Sequence, residues 1–224
     1  MDEILKDYFL EFSKNHAKNA LDYFIKGKKY SYEIQYANET IYRWIIKYCY
    51  ETLDIIKKEH YEKTFLDFGC GIGAFEYFND KFFDCNIDSC DWEDRDEIYE
   101  FMSLKKPKYY CSDWLNDNFE IYDCKIKYDV ILIMRSTVLH KHSENTDLPN
   151  SLENFIKLLK KLLPYVKSSG NIILIQPQQN FITEIKEFLD DNNSPFFCSN
   201  VPGEGKAKIY NLKPNSIKTF TCQT

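Results

Sequence analysis

The sequence predicts an α/β protein: a parallel sheet crossed by helices and preceded by a helical segment. Three observations predict it. From about residue 64, short apolar strands alternate with helix-length amphipathic stretches, the pattern of right-handed βαβ crossovers. Three of the chain's seven glycines, Gly69, Gly71 and Gly73, fall between the first of those strands and the helix after it. Before residue 60, apolar residues recur at helical rather than strand spacing.

The elements follow in order. Residues 2–26 carry Leu5, Phe9, Phe12, Leu21 and Phe24. Residues 38–60 carry Ile41, Trp44, Ile45, Tyr48, Cys49, Leu53 and Ile56, mostly at steps of three and four, so each segment presents one apolar stripe. A Tyr-rich link at 27–36 separates them. Residues 1–60 therefore read as a helical cap or lid, and residues 61–224 as the ligand-binding domain. Strands are expected at 64–68, 82–88, 108–112, 128–134, 171–176, 196–200 and 207–222, the last with a break at Pro214. Helices are expected at 73–80, 94–103, 150–166 and 181–191. In the third of these, Leu152, Phe155, Leu158, Leu159, Leu162 and Leu163 fall on the core side by spacing.

Composition narrows the function classes. A chain of 224 residues with 44% hydrophobic and 29% charged side chains has enough apolar material for a real core, which excludes a disordered or collagen-like protein. The net charge of -6 provides no global positive field for a nucleic-acid backbone. The longest fully apolar run, residues 130–134, is far short of the ~20 residues needed to cross a bilayer, so no membrane span is expected. Residues 1–12 carry acids throughout and lack the basic start and apolar run of a secretory signal. Eight cysteines without a single CxxC pair point to a reduced, cytoplasmic protein with no metal site.

The glycine cluster carries the chemistry. Each glycine removes a Cβ where the backbone turns sharply and a ligand approaches the main chain, and the following helix offers free amide hydrogens. The segment is a ligand cradle, but the ligand is left open by the loop alone. Gly69, Gly71 and Ala74 also satisfy the G-x-G-x-x-G/A pattern of dinucleotide sites. A nicotinamide-dependent oxidoreductase is therefore the rival reading, although the chain leaves little length for a hydride-acceptor domain.

The stretch FLDFGCGIGAFEYF (65–78), with Asp67 two residues before Gly69, resembles motif I of the class I S-adenosylmethionine (SAM) methyltransferases, the Rossmann-like methyltransferase superfamily. The resemblance covers about residues 65–176, half of the chain. It implies a three-layer fold around a mostly parallel seven-stranded sheet whose last strand is antiparallel. It also implies SAM as cofactor, with Asp67, Gly69, Cys70, Gly71 and Gly73 around it. In that family an acid ending the second strand binds the ribose hydroxyls, a task suited to a carboxylate that accepts two hydrogen bonds. Asp88 and Asp91 are the candidates, and Asp88 fits better because it closes the expected strand 82–88. Trp92 would pack on the adenine. In CSDWLND (111–117), Asp113 matches the acceptor for the adenine amino group and Trp114 would close the other face.

YDVILIMRSTVLHKH (128–142) resembles the fourth motif, in which an Asp opens a buried strand whose far end faces the methionine part of the cofactor. That places Met134 and Arg135 near this moiety. The Arg135 fork equally suits a substrate anion or a surface acid. Residues 151–178 resemble the helix and fifth strand that follow, with Ser169 and Gly170 where members often have two glycines.

The implied reaction is in-line displacement of a methyl group from a sulfonium. Positioning supplies most of the acceleration, so no catalytic triad is needed and none is visible. A general base matters only if the acceptor must lose a proton; of His16, His60, His140 and His142, His140 is best placed, beyond the fourth strand. The stretch MRSTVLH lacks the acid or Asn followed by Pro-Pro-aromatic used on exocyclic amines of DNA and on glutamine amides, and no Pro-Cys nucleophile for cytosine carbon exists. The expected activity is methyl transfer to an O- or N-nucleophile of a small molecule. Weak likenesses of NETIYRWIIKY, VLHKH and ILIQPQQ to RNA cap and RNA phosphate-capping methyltransferases keep RNA as an alternative acceptor, not a favoured one. A catalytically silent SAM-binding protein is a third alternative. PGEGKAKIY (202–210) reads as a hairpin turn, or less favourably as a phosphate-touching loop with Lys206 and Lys208.

Overall fold

The computed structural model describes residues 62–70, 75, 79, 85–91, 109–110, 126–134, 151–177, 182–192, 197–201 and 205–222. The chain divides into two compact units, one of Met1–Tyr61, Gly71–Asp84 and Arg95–Lys106, the other of Glu62–Cys70, Cys85–Asp94 and Pro107–Thr224. In the first unit only Phe75 and Asn79 are described, both helical and both buried. The expected cap over residues 1–60 and helix over 94–103 lie outside the described residues.

The second unit is a mixed α/β sheet with helices. Its strands are β1 (Thr64–Phe68), β2 (Asn86–Asp91), β3 (Tyr109–Tyr110), β4 (Tyr128–Met134), β5 (Val166–Pro177), β6 (Phe197–Val201) and β7 (Gly205–Leu212). They lie in the order β3-β2-β1-β4-β5-β7-β6. Neighbours from β3 to β5 pair in parallel, and β7 runs antiparallel to both β5 and β6. The chain steps outward from β1 to β2 and β3, then crosses back to pair β4 on the other side of β1. The order therefore reverses at β1 and β4, and open α/β sheets bind ligands outside the carboxyl ends of the strands at such a point.

Three described helices cover one face: α1 (Leu152–Leu162), α2 (Thr183–Asn192) and α3 (Pro214–Cys222). α1 starts where the Ser151 hydroxyl accepts the Asn154 amide hydrogen at 3.2 Å, with Glu153 in the first turn and Lys160 and Lys161 in the last, all favourable to the helix dipole. Its Phe155, Leu158, Leu159 and Leu162 join Leu66, Phe68, Ile131, Ile133, Ile172 and Leu174 of the sheet, Ile185 and Leu189 of α2 and Ile217 of α3 in one apolar cluster. Each such side chain contributes ~1.5 to 3 kcal/mol on full burial, well above the ~0.7 kcal/mol spread of helix propensity, so burial decides where the helix sits. The opposite face carries Phe65, Ile87, Val130, Leu132, Ile173 and Ile175, also buried. The described helices form a layer on one face of the sheet; the second helical layer of the three-layer expectation is not among the described residues.

Several element boundaries differ from expectation. The helix expected through residue 166 ends at Leu162 and passes through a 3-10 turn, Leu163–Tyr165, because Pro164 cannot donate to the helical ladder. β5 then starts at Val166, five residues early, and its register on β4 jumps from Tyr128↔Val166 to Val130↔Asn171. Gly170 lies in that irregular stretch, and a Cβ there would stand 2.6 Å from the Asp129 carbonyl oxygen and 2.8 Å from Val166 Cγ1. Finally, residues 214–222 are helix rather than strand. Proline fits the first helical position, where no amide hydrogen is needed, and the Ile217 amide closes the turn onto the Lys213 carbonyl at 3.0 Å.

The amino ends of three central strands are held together by one acid. Asp129 Oδ2 accepts from the Thr64 amide (2.9 Å), the Thr64 hydroxyl (3.0 Å) and Lys167 Nζ (2.8 Å). Partial burial pushes this carboxyl up, but Lys167 and the two Thr64 bonds outweigh it and hold it below its ordinary value. The Asp that opens the fourth motif is thus a structural tie on the edge opposite the glycine loop.

Candidate functional site

The site is built where β1 ends. Phe65, Leu66, Asp67 and Phe68 are all buried, as a central parallel strand covered on both faces requires. The chain then leaves the sheet at Gly69, whose φ of 80° lies in the left-handed region that favours glycine. Both Gly69 N–H (2.8 Å) and Cys70 N–H (3.1 Å) donate to the Cys90 carbonyl. The bend is therefore folded down onto the end of β2, and the Cys70 thiol lies 4.0 Å from Asp91 Oδ2.

Register places the ends of the strands in one row. Phe68 pairs Cys90, so Asp91 is level with Gly69; Asp67 pairs Leu132, so Met134 is level with Gly69 on the other side. Asp91 also pairs Tyr110, and Met134 pairs Ile175. The carboxyl rim thus brings together the Gly69 bend, a buried carboxylate at Asp91 and the half-buried Met134. This arrangement is a cradle with one acid beside it, suited to a neutral or cationic ligand rich in hydroxyl donors.

Asp88 does not close its strand. β2 begins at Asn86, not at residue 82, and continues three residues beyond Asp88, because Ser89 and Cys90 pair with Asp67 and Phe68 and because Cys90 and Asp91 pair with β3. Asp88 stands level with Leu66, inside the sheet, and its Oδ2 accepts the Tyr128 hydroxyl at 2.9 Å. Hydrophobic pattern hid this extension, since the buried stretch Ser89–Asp91 contains two polar residues. The available signal was strand length: the acid that meets the bend must be level with Gly69.

Of the other expected site residues, Asp67 is buried at the end of β1 and Cys70 is buried in the bend. Gly71, Gly73, Trp92, Asp113, Trp114, Arg135 and the candidate base His140 lie outside the described residues. Lys208 is engaged elsewhere: its Nζ meets both Asp190 oxygens at 2.7 and 2.6 Å, and the buried Tyr210 hydroxyl donates to Asp190 as well. Burial pushes the Asp190 carboxyl up, and Lys208, Tyr210 and Lys186 together hold it below its ordinary value. Val201 pairs Gly205, so residues 202–204 connect a β6–β7 hairpin, as the turn reading expects. Among the described residues there is no group of acids, cysteines or histidines suited to a metal ion, and no helix long and apolar enough to cross a membrane.

Comparison with known proteins agrees on architecture. No family model and no curated protein sequence matches the chain. Among solved structures, the plantazolicin methyltransferase BpumL in complex with SAH aligns over 94% of this chain and 99% of its own, at 18% identity and a TM-score of 0.51. The N-methyltransferase NodS from Bradyrhizobium japonicum WM9 aligns over 75% of this chain and 94% of its own, at 11% identity and a TM-score of 0.51. The chain shares its fold with these two methyltransferases.

Proposed function

We propose that this chain is a SAM-dependent methyltransferase that acts on an O- or N-nucleophile of a small-molecule acceptor. The observation that carries the reading is the row formed by Gly69, Asp91 and Met134 at the point where strand order reverses, in a fold shared with BpumL and NodS. Both of those proteins are named methyltransferases, and BpumL was solved with SAH. The residues present fit such a cofactor. The Gly69 bend leaves the main chain open to close approach, and Asp91 supplies a carboxylate for two adjacent hydroxyls. We assign the ribose role to Asp91, level with the Gly69 bend, rather than to Asp88, which stands inside the sheet level with Leu66.

Bound at that row, SAM supplies a methyl group on a sulfonium, the electrophile of the reaction. The chain's own part is to hold, orient and exclude water. Asp91 would hold the nucleoside end and Met134 the methionine end, and Trp92, Asp113, Trp114 and Arg135 are the further residues the family resemblance assigns to the cofactor. His140 would take a proton if the acceptor must lose one.

Sheet order argues against the nicotinamide reading. In dinucleotide-binding sheets the sixth strand lies beside the fifth in the order 3-2-1-4-5-6, whereas here the antiparallel β7 is inserted between β5 and β6. A thermal-shift panel tests the choice. S-adenosylhomocysteine at about 100 times its dissociation constant should stabilise the chain by ~2.7 kcal/mol, and NAD should leave it unchanged; stabilisation by NAD alone overturns the proposal.

A further inference from the structure

Beside the row of strand ends, β5 carries a residue that no packing argument accounts for. Ile172, Ile173, Leu174 and Ile175 are apolar and buried, and Gln176 follows them with no exposed surface at all. Among the described residues, neither the nitrogen nor the oxygen of its side-chain amide has a hydrogen-bond partner. A buried amide is normally paired, and leaving both ends unpaired opposes folding, so an apolar residue would serve the core better. Asn171 and Asn211 each also have a buried oxygen without a partner among the described residues, but both stand deeper in the sheet, level with Val130 and Ile173.

Position separates Gln176 from those two. Ile175 pairs Met134 in the row that contains Gly69 and Asp91, so Gln176 stands one residue beyond that row, on the carboxyl rim. Strands lie ~4.8 Å apart, which puts β5 roughly 10 Å from β1, a distance suited to a second ligand beside the one in the bend. Gln176 is directly opposite Lys208 in the antiparallel β5–β7 ladder, and opposed residues share a face. The Lys208 ammonium is held by Asp190, which Lys186 also meets at 3.9 Å, so Lys208 is already engaged by a carboxylate.

We infer that Gln176 is the specificity residue for the methyl acceptor, pairing its amide with a neutral group that presents a donor and an acceptor side by side. A carboxamide, a lactam or a ring nitrogen next to an exocyclic amine has that edge. The inference rests on the methyltransferase reading above and adds the chemical class of the acceptor to it.

The test compares the full chain with Gln176→Met and Gln176→Leu, two apolar replacements of similar size. Three quantities are measured: Tm without ligand, affinity for S-adenosylhomocysteine, and transfer of labelled methyl from SAM to chromatographically resolved small molecules of a cell extract. Both variants are expected to melt at or above the wild-type temperature and to bind S-adenosylhomocysteine within about twofold of it. They should label the product at no more than about one tenth of the wild-type level, because a site built around a hydrogen-bonding edge rejects what leaves it unpaired. Wild-type labelling by both variants overturns the inference. So does a fall in Tm in both, the mark of an amide bridged by a buried water. A wild-type chain that does not bind S-adenosylhomocysteine overturns the cofactor reading itself, an outcome distinct from a variant that binds it and labels normally.

Discussion

Gly170→Ala is the substitution whose effect the structure sets most tightly. An alanine Cβ would meet the Asp129 carbonyl oxygen at 2.6 Å, Val166 Cγ1 at 2.8 Å and the Lys167 carbonyl oxygen at 3.0 Å. Two of those atoms are backbone, and Asp129 is tied to Thr64 and Lys167, so relief requires β5 to move off β4. Overpacking of this kind costs about 1 to 3 kcal/mol. In a chain of this size each kcal/mol lowers Tm by about 2 to 4 °C, so the variant should melt roughly 2 to 12 °C below wild type. Differential scanning calorimetry reads the change directly. Ser169→Ala, one residue earlier at an exposed position, is the control and should leave Tm unchanged. A Gly170→Ala protein that melts within about 1 °C of wild type would refute the close approach of β5 to β4.

Other outcomes follow from the same contacts. Asp129→Asn should cost roughly 1.5 to 3 kcal/mol at pH 7. Because the folded carboxyl titrates below its unfolded value of about 3.9, that stability is present above this pH and lost as pH falls through the lower, folded value. Melting curves from pH 7 to 3 should therefore converge, and a constant gap would remove the ion pair from the account. Asp88→Asn should leave S-adenosylhomocysteine affinity within about twofold, while Tyr128→Phe lowers stability by about 1 kcal/mol. A large loss of affinity in Asp88→Asn would return the ribose role to that residue. Lys208→Met should lower Tm through the loss of its Asp190 contacts yet leave affinity unchanged; lost affinity with normal Tm would revive the phosphate-touching loop.

The legible parts of the fold were those in which burial alone sets the residue types. β1 and β4 were bounded correctly, since strands covered on both faces become continuous apolar runs such as Val130 to Met134. The glycine bend was legible because glycine at positive φ has a conformational cause that composition exposes. What failed was any inference that required knowing partners. Ser89 and Asp91 are polar residues buried inside a strand, so periodicity ended β2 too early. Ser168 and Ser169 are exposed on a strand that starts irregularly, which hid the first five of the twelve residues of β5. TFTC alternates like a strand, yet it follows Pro214 and continues a helix whose Ile217 reaches the core. Gln176 read as a polar strand end, and only the structure shows it buried with its amide unpaired among the described residues.

Calorimetric titration of S-adenosylhomocysteine into the wild-type chain and into Asp91→Asn goes most directly to the ligand held beside Gly69. Wild type should bind one equivalent, and the variant, still folded, should bind about 10- to 150-fold more weakly, the range for a hydrogen bond lost from a charged group. No saturable binding by wild type, or equal affinity in the two proteins, would contradict the assignment.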